Sequence, residues 1–242
     1  MKIAVVFLST DPNHFNLSKL KEQASASSKH TIDIYTYTSG KDIQYSETNK
    51  FVRFDYKYLA NKIGYKRSEP ILYHASMGKN VGLEFLPLID MYMNHKDEYD
   101  FYMFYEYDVS YFGSTNLFDT IDFNCDALFP YKRHANDQNW CWTSIEKYRL
   151  NDMPVIYHGL LSVYALRGNV IHELIDYFRQ GNYCHCEGLI STFVLNNEKY
   201  KVNYIDNYMQ SLFYWNKIEN VYKHYDIIHP VKTINDYNSF NI

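Results

Sequence analysis

An apolar run, Phe101-Tyr102-Met103-Phe104-Tyr105, leads directly into Glu106-Tyr107-Asp108. Side chains two apart on extended backbone share a face, so the two carboxylates can converge. Two like charges held together repel unless a cation lies between them. A hard divalent ion such as Mg²⁺ or Mn²⁺ takes oxygen ligands and can bridge them to a diphosphate. Acids are common at solvated strand ends, so position decides the weight of the pair. In open α/β sheets, ligands bind beyond the carboxyl ends of the strands, which is where this pair falls.

The elements that must carry the pair are legible as an alternating pattern. Residues 3–8 (Ile-Ala-Val-Val-Phe-Leu) are apolar throughout, the mark of a strand buried on both faces. The turn cluster Ser9-Thr10-Asp11-Pro12 follows, and residues 17–27 read as a helix. Residues 31–37 and 51–54 are rich in β-branched and aromatic residues and read as strands. A short helix is expected over 55–64. Another covers 83–92, with Pro87 either kinking it or marking its first turn. Residues 100–105 and 125–130 are further strands, and 155–166 holds one or two more. Amphipathic helices follow at 169–178, with Val170, Leu174, Ile175 and Phe178 on one side, and at 187–196. A last strand covers 201–205. Strand, helix, strand at this spacing predicts an α/β fold, a mostly parallel central sheet flanked by helices. No internal repeat, low-complexity segment or linker interrupts it.

With Glu106-Tyr107-Asp108 closing a hydrophobic strand, the chain resembles the GT-A fold of glycosyltransferases. That family carries an Asp-x-Asp motif in this place; here Glu stands first. The resemblance implies a single Rossmann-like domain over 1–242, with nucleotide bound by 1–130 and acceptor by 131–242 and the C-terminal tail. It makes Asp108 the principal ligand of Mn²⁺ or Mg²⁺ and places Glu106 on the ribose or on a metal-bound water. His229, in Ile227-Ile228-His229-Pro230-Val231-Lys232, looks like the family's late third ligand, and imidazole beside carboxylates favours Mn²⁺. Lys232 would neutralise the departing diphosphate. Glu187, early in a late helix, matches in chain order the catalytic base of inverting members, and that order favours the catalytic role; an acid in a helix's first turn is also ordinary dipole compensation. Donor contacts are expected from Ser9, Thr10 and Asp11 at the end of the first strand, and from Tyr37 or Thr38 at the end of the second. Lys79 and Asn80 are candidates for phosphate or donor sugar. The acceptor is expected near His158-Gly159-Leu160 and Trp140-Cys141-Trp142. The implied reaction moves a sugar from a nucleotide-diphosphate donor to a hydroxyl of a glycan, a lipid-linked sugar or a protein, as in surface polysaccharide synthesis. A nucleotidyltransferase is the first alternative, and Ser-Thr-Asp-Pro in place of a Gly-rich basic loop counts against it. A decayed nucleotide- or glycan-binding relative is the second, conceivable because Glu106 replaces the usual Asp.

Composition narrows the field. The formal net charge is -4, with no basic block, so nucleic acid is not an expected partner. The 26 tyrosines would suit a carbohydrate site, although an AT-rich coding bias is the readier explanation. Four cysteines are too few for a disulfide scaffold. Cys184-His185-Cys186 invites a zinc reading that consecutive, diverging side chains disfavour. No Gly-x-Gly-x-x-Gly or P-loop is present, and Ser162 lacks a Gly-x-Ser-x-Gly elbow. The N-terminal apolar run is about six residues, shorter than a signal-peptide core, and no stretch reaches the roughly 18 apolar residues of a membrane span. The expected placement is cytoplasmic, free or in peripheral contact with a membrane.

Overall fold

Lys2–Leu8 forms β1, and its side chains from Ile3 onward are buried. A strand buried on both faces must lie between two packed layers. Ile3, Val5 and Phe7 accordingly join one apolar cluster, and Ala4, Val6 and Leu8 join the other. The structure is a computed structural model that describes residues 1–11, 13–40, 45–65, 83–132, 153–182, 185–213, 225–232 and 235, together with the backbone of 72–73, 80–81 and 134–135.

After β1 come α1 (Phe15–Ala26), β2 (Thr31–Ser39), β3 (Ser46–Thr48), β4 (Phe51–Phe54) and α2 (Tyr56–Ile63). A two-stranded ribbon, β5 (Leu72–Tyr73) with β6 (Asn80–Val81), precedes α3 (Leu86–Asn94) and β7 (Phe101–Glu106). Then follow β8 (Ser110–Tyr111), α4 (Leu117–Thr120), β9 (Ala127–Phe129), β10 (His134–Ala135), β11 (Tyr157–His158) and β12 (Val163–Arg167). The chain continues through α5 (Gly168–Arg179), α6 (Cys186–Leu195), β13 (Val202–Tyr204), β14 (Ser211–Phe213) and β15 (Ile227–His229).

The central sheet has eight strands in the order β13-β9-β12-β7-β1-β2-β4-β3. The run β7-β1-β2-β4 is parallel, as is β13 with β9. β12 is antiparallel to both neighbours, and β3 closes the edge antiparallel to β4. This is the α/β, Rossmann-like sheet flanked by helices that the sequence predicts, with its parallel half on the N-terminal side.

Local chemistry sets the boundaries. Asp55 caps α2 by accepting from Tyr58 N at 3.1 Å, and Gly64 ends it with φ 80°, a left-handed conformation that glycine adopts without a Cβ penalty. Pro87 sits in the first turn of α3, where its missing N–H costs nothing, so no kink results. α5 buries Val170, Ile171, Leu174, Ile175, Tyr177 and Phe178 against the sheet, the face its 3.6-residue periodicity predicts. The strands expected over 155–166 are β11 and β12. A smaller sheet, β14-β15-β8, stands at the carboxyl end of β7. Among the described residues, no helix is long and apolar enough to cross a membrane.

Candidate active site

The site begins with the alternation along β7. Phe101, Met103 and Tyr105 face one apolar cluster; Tyr102 and Phe104 face the other, where α2, α3, α5 and α6 pack. Glu106 has the parity of Phe104 and so emerges on the α6 side, at the strand's last ladder position. Its N–H bonds to the Ser162 carbonyl at 2.9 Å. Beyond it the backbone turns, with Val109 N bonded to Glu106 O at 3.2 Å and Tyr107 N to Leu8 O at 3.1 Å. Glu106 and Asp108 therefore converge through a turn, not through the extended geometry that the two-residue spacing implies.

Asn16, buried in the first turn of α1, clamps this turn. Its Nδ2 donates to the Tyr107 carbonyl at 2.7 Å, and Ser110 Oγ donates to its Oδ1 at 2.5 Å. Nothing in the local sequence marks Asn16, because its partners lie about a hundred residues away.

His229 arrives by strand pairing. β8 runs directly on from the turn and pairs antiparallel with β15, Ile228 opposite Ser110. The chain then crosses the turn itself, and Val231 N donates to the Asp108 carbonyl at 2.6 Å. His229 Nε2 ends 3.5 Å from Glu106 Oε2 and 3.4 Å from Asp108 Oδ1. One donor atom from each of the three side chains lies within 4.8 Å of the others. Burial disfavours the imidazolium, but the carboxylates of Asp108 and Glu106 outweigh it and push His229 up to about 10. Without a metal, the proton on His229 is the cation of the cluster.

The three residues fit a divalent ion. Asp108 is buried, and its Oδ1 faces His229 Nε2 at 3.4 Å with no closer hydrogen bond among the described residues. A buried carboxylate oxygen in that position is costly unless a cation meets it. Two carboxylates and an imidazole form an oxygen–nitrogen donor set suited to Mn²⁺, and also to Mg²⁺.

A cavity of about 270 Å³ opens beside the cluster. Phe104 and Tyr164, stacked with ring centroids 5.2 Å apart, form part of its wall. Glu106, Asp108, His229, Glu187 and Lys232, far apart in sequence, all line it. Glu187 is buried in the first turn of α6, with an oxygen 3.6 Å from His185 Nδ1. Lys232 is exposed at the rim, and its carbonyl lies 3.5 Å from His14 Nε2. Leu160 and Ser162 also line the cavity, whereas His158 is buried outside its lining. The Ser162 hydroxyl is buried and has no hydrogen-bond partner among the described residues.

Ser9, Thr10, Asp11, Tyr37 and Thr38 are not among the residues that line this cavity. Ser9 is buried at the end of β1, and its hydroxyl donates to the Asp11 carbonyl at 2.7 Å. Thr10 and Asp11 are exposed, and Asp11 Oδ1 accepts from Asn13 N. Tyr37 is 1 % exposed and donates its hydroxyl to the buried carboxylate of Asp90 at 3.1 Å, so it is directed into the core. Thr38 Oγ1 is buried without a hydrogen-bond partner among the described residues. Lys79, Trp140, Cys141, Trp142 and Cys184 lie outside the described residues, and Asn80 is described for its backbone alone, in β6.

No family model matches this chain, and no curated protein matches it either. Among solved structures, the fold is similar to that of mouse xyloside xylosyltransferase 1 in its apo form. The match covers 95 % of this chain and 97 % of that one at 11 % identity, with a TM-score of 0.48.

Proposed function

We propose that this chain is a metal-dependent glycosyltransferase that moves a sugar from a nucleotide-diphosphate donor to a hydroxyl acceptor on a glycan, a lipid-linked sugar or a protein. One observation carries the reading: Glu106, Asp108 and His229 converge at the carboxyl end of a central sheet strand, in the wall of a cavity that also holds Glu187 and Lys232. In this reading, residues 1–130 hold the nucleotide and residues 131–242 the acceptor.

Each group has a task matched to its chemistry. Asp108 and Glu106 supply oxygen ligands and His229 a nitrogen ligand, together holding Mn²⁺ or Mg²⁺. An ion held by these residues would supply charge neutralisation to the departing diphosphate. Lys232, at the rim, adds a second positive charge on the leaving group. Glu187 accepts the proton of the acceptor hydroxyl, and its burial keeps water from competing for that role. Stacked Phe104 and Tyr164 give one side of the cavity an apolar wall, against which the carbon face of a sugar can lie. Ser9, Thr10, Asp11, Lys79 and Asn80 remain candidates for the nucleotide on sequence grounds.

The first test is thermal unfolding against a panel of nucleoside diphosphates, with and without Mn²⁺, for wild type and Asp108→Ala. A ligand at about a hundred times its dissociation constant adds roughly 2.7 kcal/mol, a shift of a few degrees for a chain this long. A Mn²⁺-dependent shift with one nucleotide, lost in the variant, supports the site and names the base. Transfer from the matching nucleotide sugars is then measured with Glu187→Gln, expected to bind donor normally and turn over at least a hundredfold slower. If no nucleotide stabilises the wild type in the presence of Mn²⁺, the proposal fails.

A further inference from the structure

Glu84, His185 and Cys186 form a second cluster in the wall of the same cavity. Cys186 Sγ lies 3.5 Å from Glu84 Oε2 and 3.7 Å from His185 Nδ1. One donor atom from each residue lies within 4.8 Å of the others. Zinc–sulfur bonds of about 2.3 Å and zinc–nitrogen or zinc–oxygen bonds of about 2.0–2.2 Å set tetrahedral ligand-to-ligand edges of roughly 3.5–3.7 Å. Both short edges of the cluster have that length.

Adjacent residues seldom supply two ligands to one ion, because their side chains diverge on regular backbone. The sequence-based objection to zinc at Cys184-His185-Cys186 rests on that rule, and the backbone here departs from it. His185 is the N-cap of α6, with φ −54° and ψ 142°, and Cys186 is the first helical residue. The change of conformation between them brings both side chains to Glu84, a partner that sequence spacing does not reveal.

We propose that Glu84, His185 and Cys186 form a binding site for a borderline divalent ion of the Zn²⁺ class, separate from the oxygen–nitrogen centre at Asp108. A thiolate ligand selects against Mg²⁺ and for zinc, so one cavity sorts two ions by donor softness. Carboxylate, thiolate and neutral imidazole together carry two negative charges, which balance Zn²⁺. The imidazole ligates in its neutral form and the cysteine as thiolate. Loading releases the Cys186 thiol proton to solvent while the sulfur lone pair goes to the ion, without redox change. The Glu187 N–H bond to His185 Nδ1, at 3.3 Å, is long for a cap and is the contact that loading would displace.

The test titrates purified chain with Co²⁺, a spectroscopic substitute for zinc, in thiol-free buffer. The expected result is a saturable sulfur-to-cobalt charge-transfer band that Zn²⁺ displaces. It should persist in Asp108→Ala and Cys184→Ser, and disappear in Cys186→Ser. Persistence in Asp108→Ala separates this site from the glycosyltransferase reading. A band that survives Cys186→Ser, or no band in the wild type, overturns the proposal. Should Cys186→Ser not fold, Glu84→Gln must weaken Co²⁺ binding at least tenfold. X-ray absorption of zinc-loaded wild type must also show a sulfur neighbour at about 2.3 Å; a shell of nitrogen and oxygen alone overturns the site.

Discussion

Val231 donates its backbone N–H to the Asp108 carbonyl at 2.6 Å, two residues after His229 brings its imidazole 3.4 Å from the Asp108 carboxylate. Backbone therefore holds backbone at the point where side chain meets side chain. The C-terminal segment is anchored further by Ile227, buried in the apolar cluster with Val109 and Tyr111. The proposed third ligand, placed by a strand and a backbone hydrogen bond, would already be positioned when a metal arrives, which lowers the ordering cost of binding.

This separation of scaffold from ligand makes Asp108→Asn informative. The substitution keeps the carbonyl that Val231 uses and removes a charge, so the fold should survive. Mn²⁺-dependent stabilisation by a nucleoside diphosphate, up to about 2.7 kcal/mol at a hundred times its dissociation constant, should vanish. Transfer activity should fall at least a hundredfold, the upper range seen for weaker, outer-sphere changes. Differential scanning fluorimetry and a transfer assay measure the two effects. Unchanged Mn²⁺ dependence would remove Asp108 from the metal centre.

Asn16 should behave as a positioning residue. It holds the Tyr107 carbonyl and accepts from Ser110 Oγ, on either side of Asp108, and touches none of the proposed ligands. Asn16→Ala leaves those buried groups without their partner, at a cost of about 1–3 kcal/mol in stability. Below its melting range, the variant should bind Mn²⁺ roughly ten- to a hundredfold more weakly, as other outer-sphere losses do. Isothermal titration with Mn²⁺ checks this. Weakened stability with unchanged affinity would make the clamp purely structural.

The sequence is most legible where burial is symmetric and local. β1 and β7 follow from unbroken apolar runs, and α5 from its periodicity. Glu106, Asp108 and His229 are legible as residue types, but their meeting is not. It depends on the Glu106–Val109 turn and on β8, two residues long, pairing with β15. Elements of two to four residues, such as β8, β14 and α4, carry too little pattern to be read. Tyr37 illustrates another limit. Alternation along residues 31–37 assigns side chains to a face of the strand but not to its ligand end, and Tyr37 turns to Asp90. Tyr35, Tyr102, Tyr105 and Tyr164 are likewise buried, so many tyrosines build the core. The approach of Cys186 to Glu84 is invisible in sequence, because about a hundred residues separate them.

Asp90 supplies a stability prediction that should leave the proposed chemistry untouched. Its carboxylate is fully buried and accepts from Lys62 Nζ at 2.6 Å and from the Tyr37 and Tyr45 hydroxyls at 3.1 Å each. Burial and this carboxylate hold the Tyr37 hydroxyl well above the ordinary tyrosine range, so it remains a donor. Asp90→Ala removes the common acceptor of the two tyrosine hydroxyls and leaves Lys62 with Asn94 Oδ1, 2.9 Å away, as its remaining hydrogen-bond partner among the described residues. The expected loss is about 1–3 kcal/mol by urea denaturation. At temperatures where the variant stays folded, Mn²⁺ affinity should match wild type, because Asp90 does not line the cavity. A loss under 1 kcal/mol would mean that the network contributes little.

Asp119 provides the pH-dependent test. It joins α4 to the loop after α1, accepting from Ser27 Oγ at 2.5 Å, from Ser28 N and Oγ at 2.8 Å each, and from Lys29 N at 3.2 Å. Desolvation raises its pKa, but the bonds from Ser27, Ser28 and Lys29 prevail and hold it well below the usual carboxylate range. A carboxylate depressed on folding contributes stability that is present above its unfolded value near 3.8 and is lost as pH falls through the folded one. Solvent at this surface site screens the effect, so Asp119→Ala should cost only about 1 kcal/mol at pH 7. The gap between wild type and variant should hold constant down to about pH 4 and close only at more acid pH. Urea denaturation across that range measures it. A gap that already closes between pH 7 and 5 would assign the effect to another group, because an acid held this low stays ionised throughout that window.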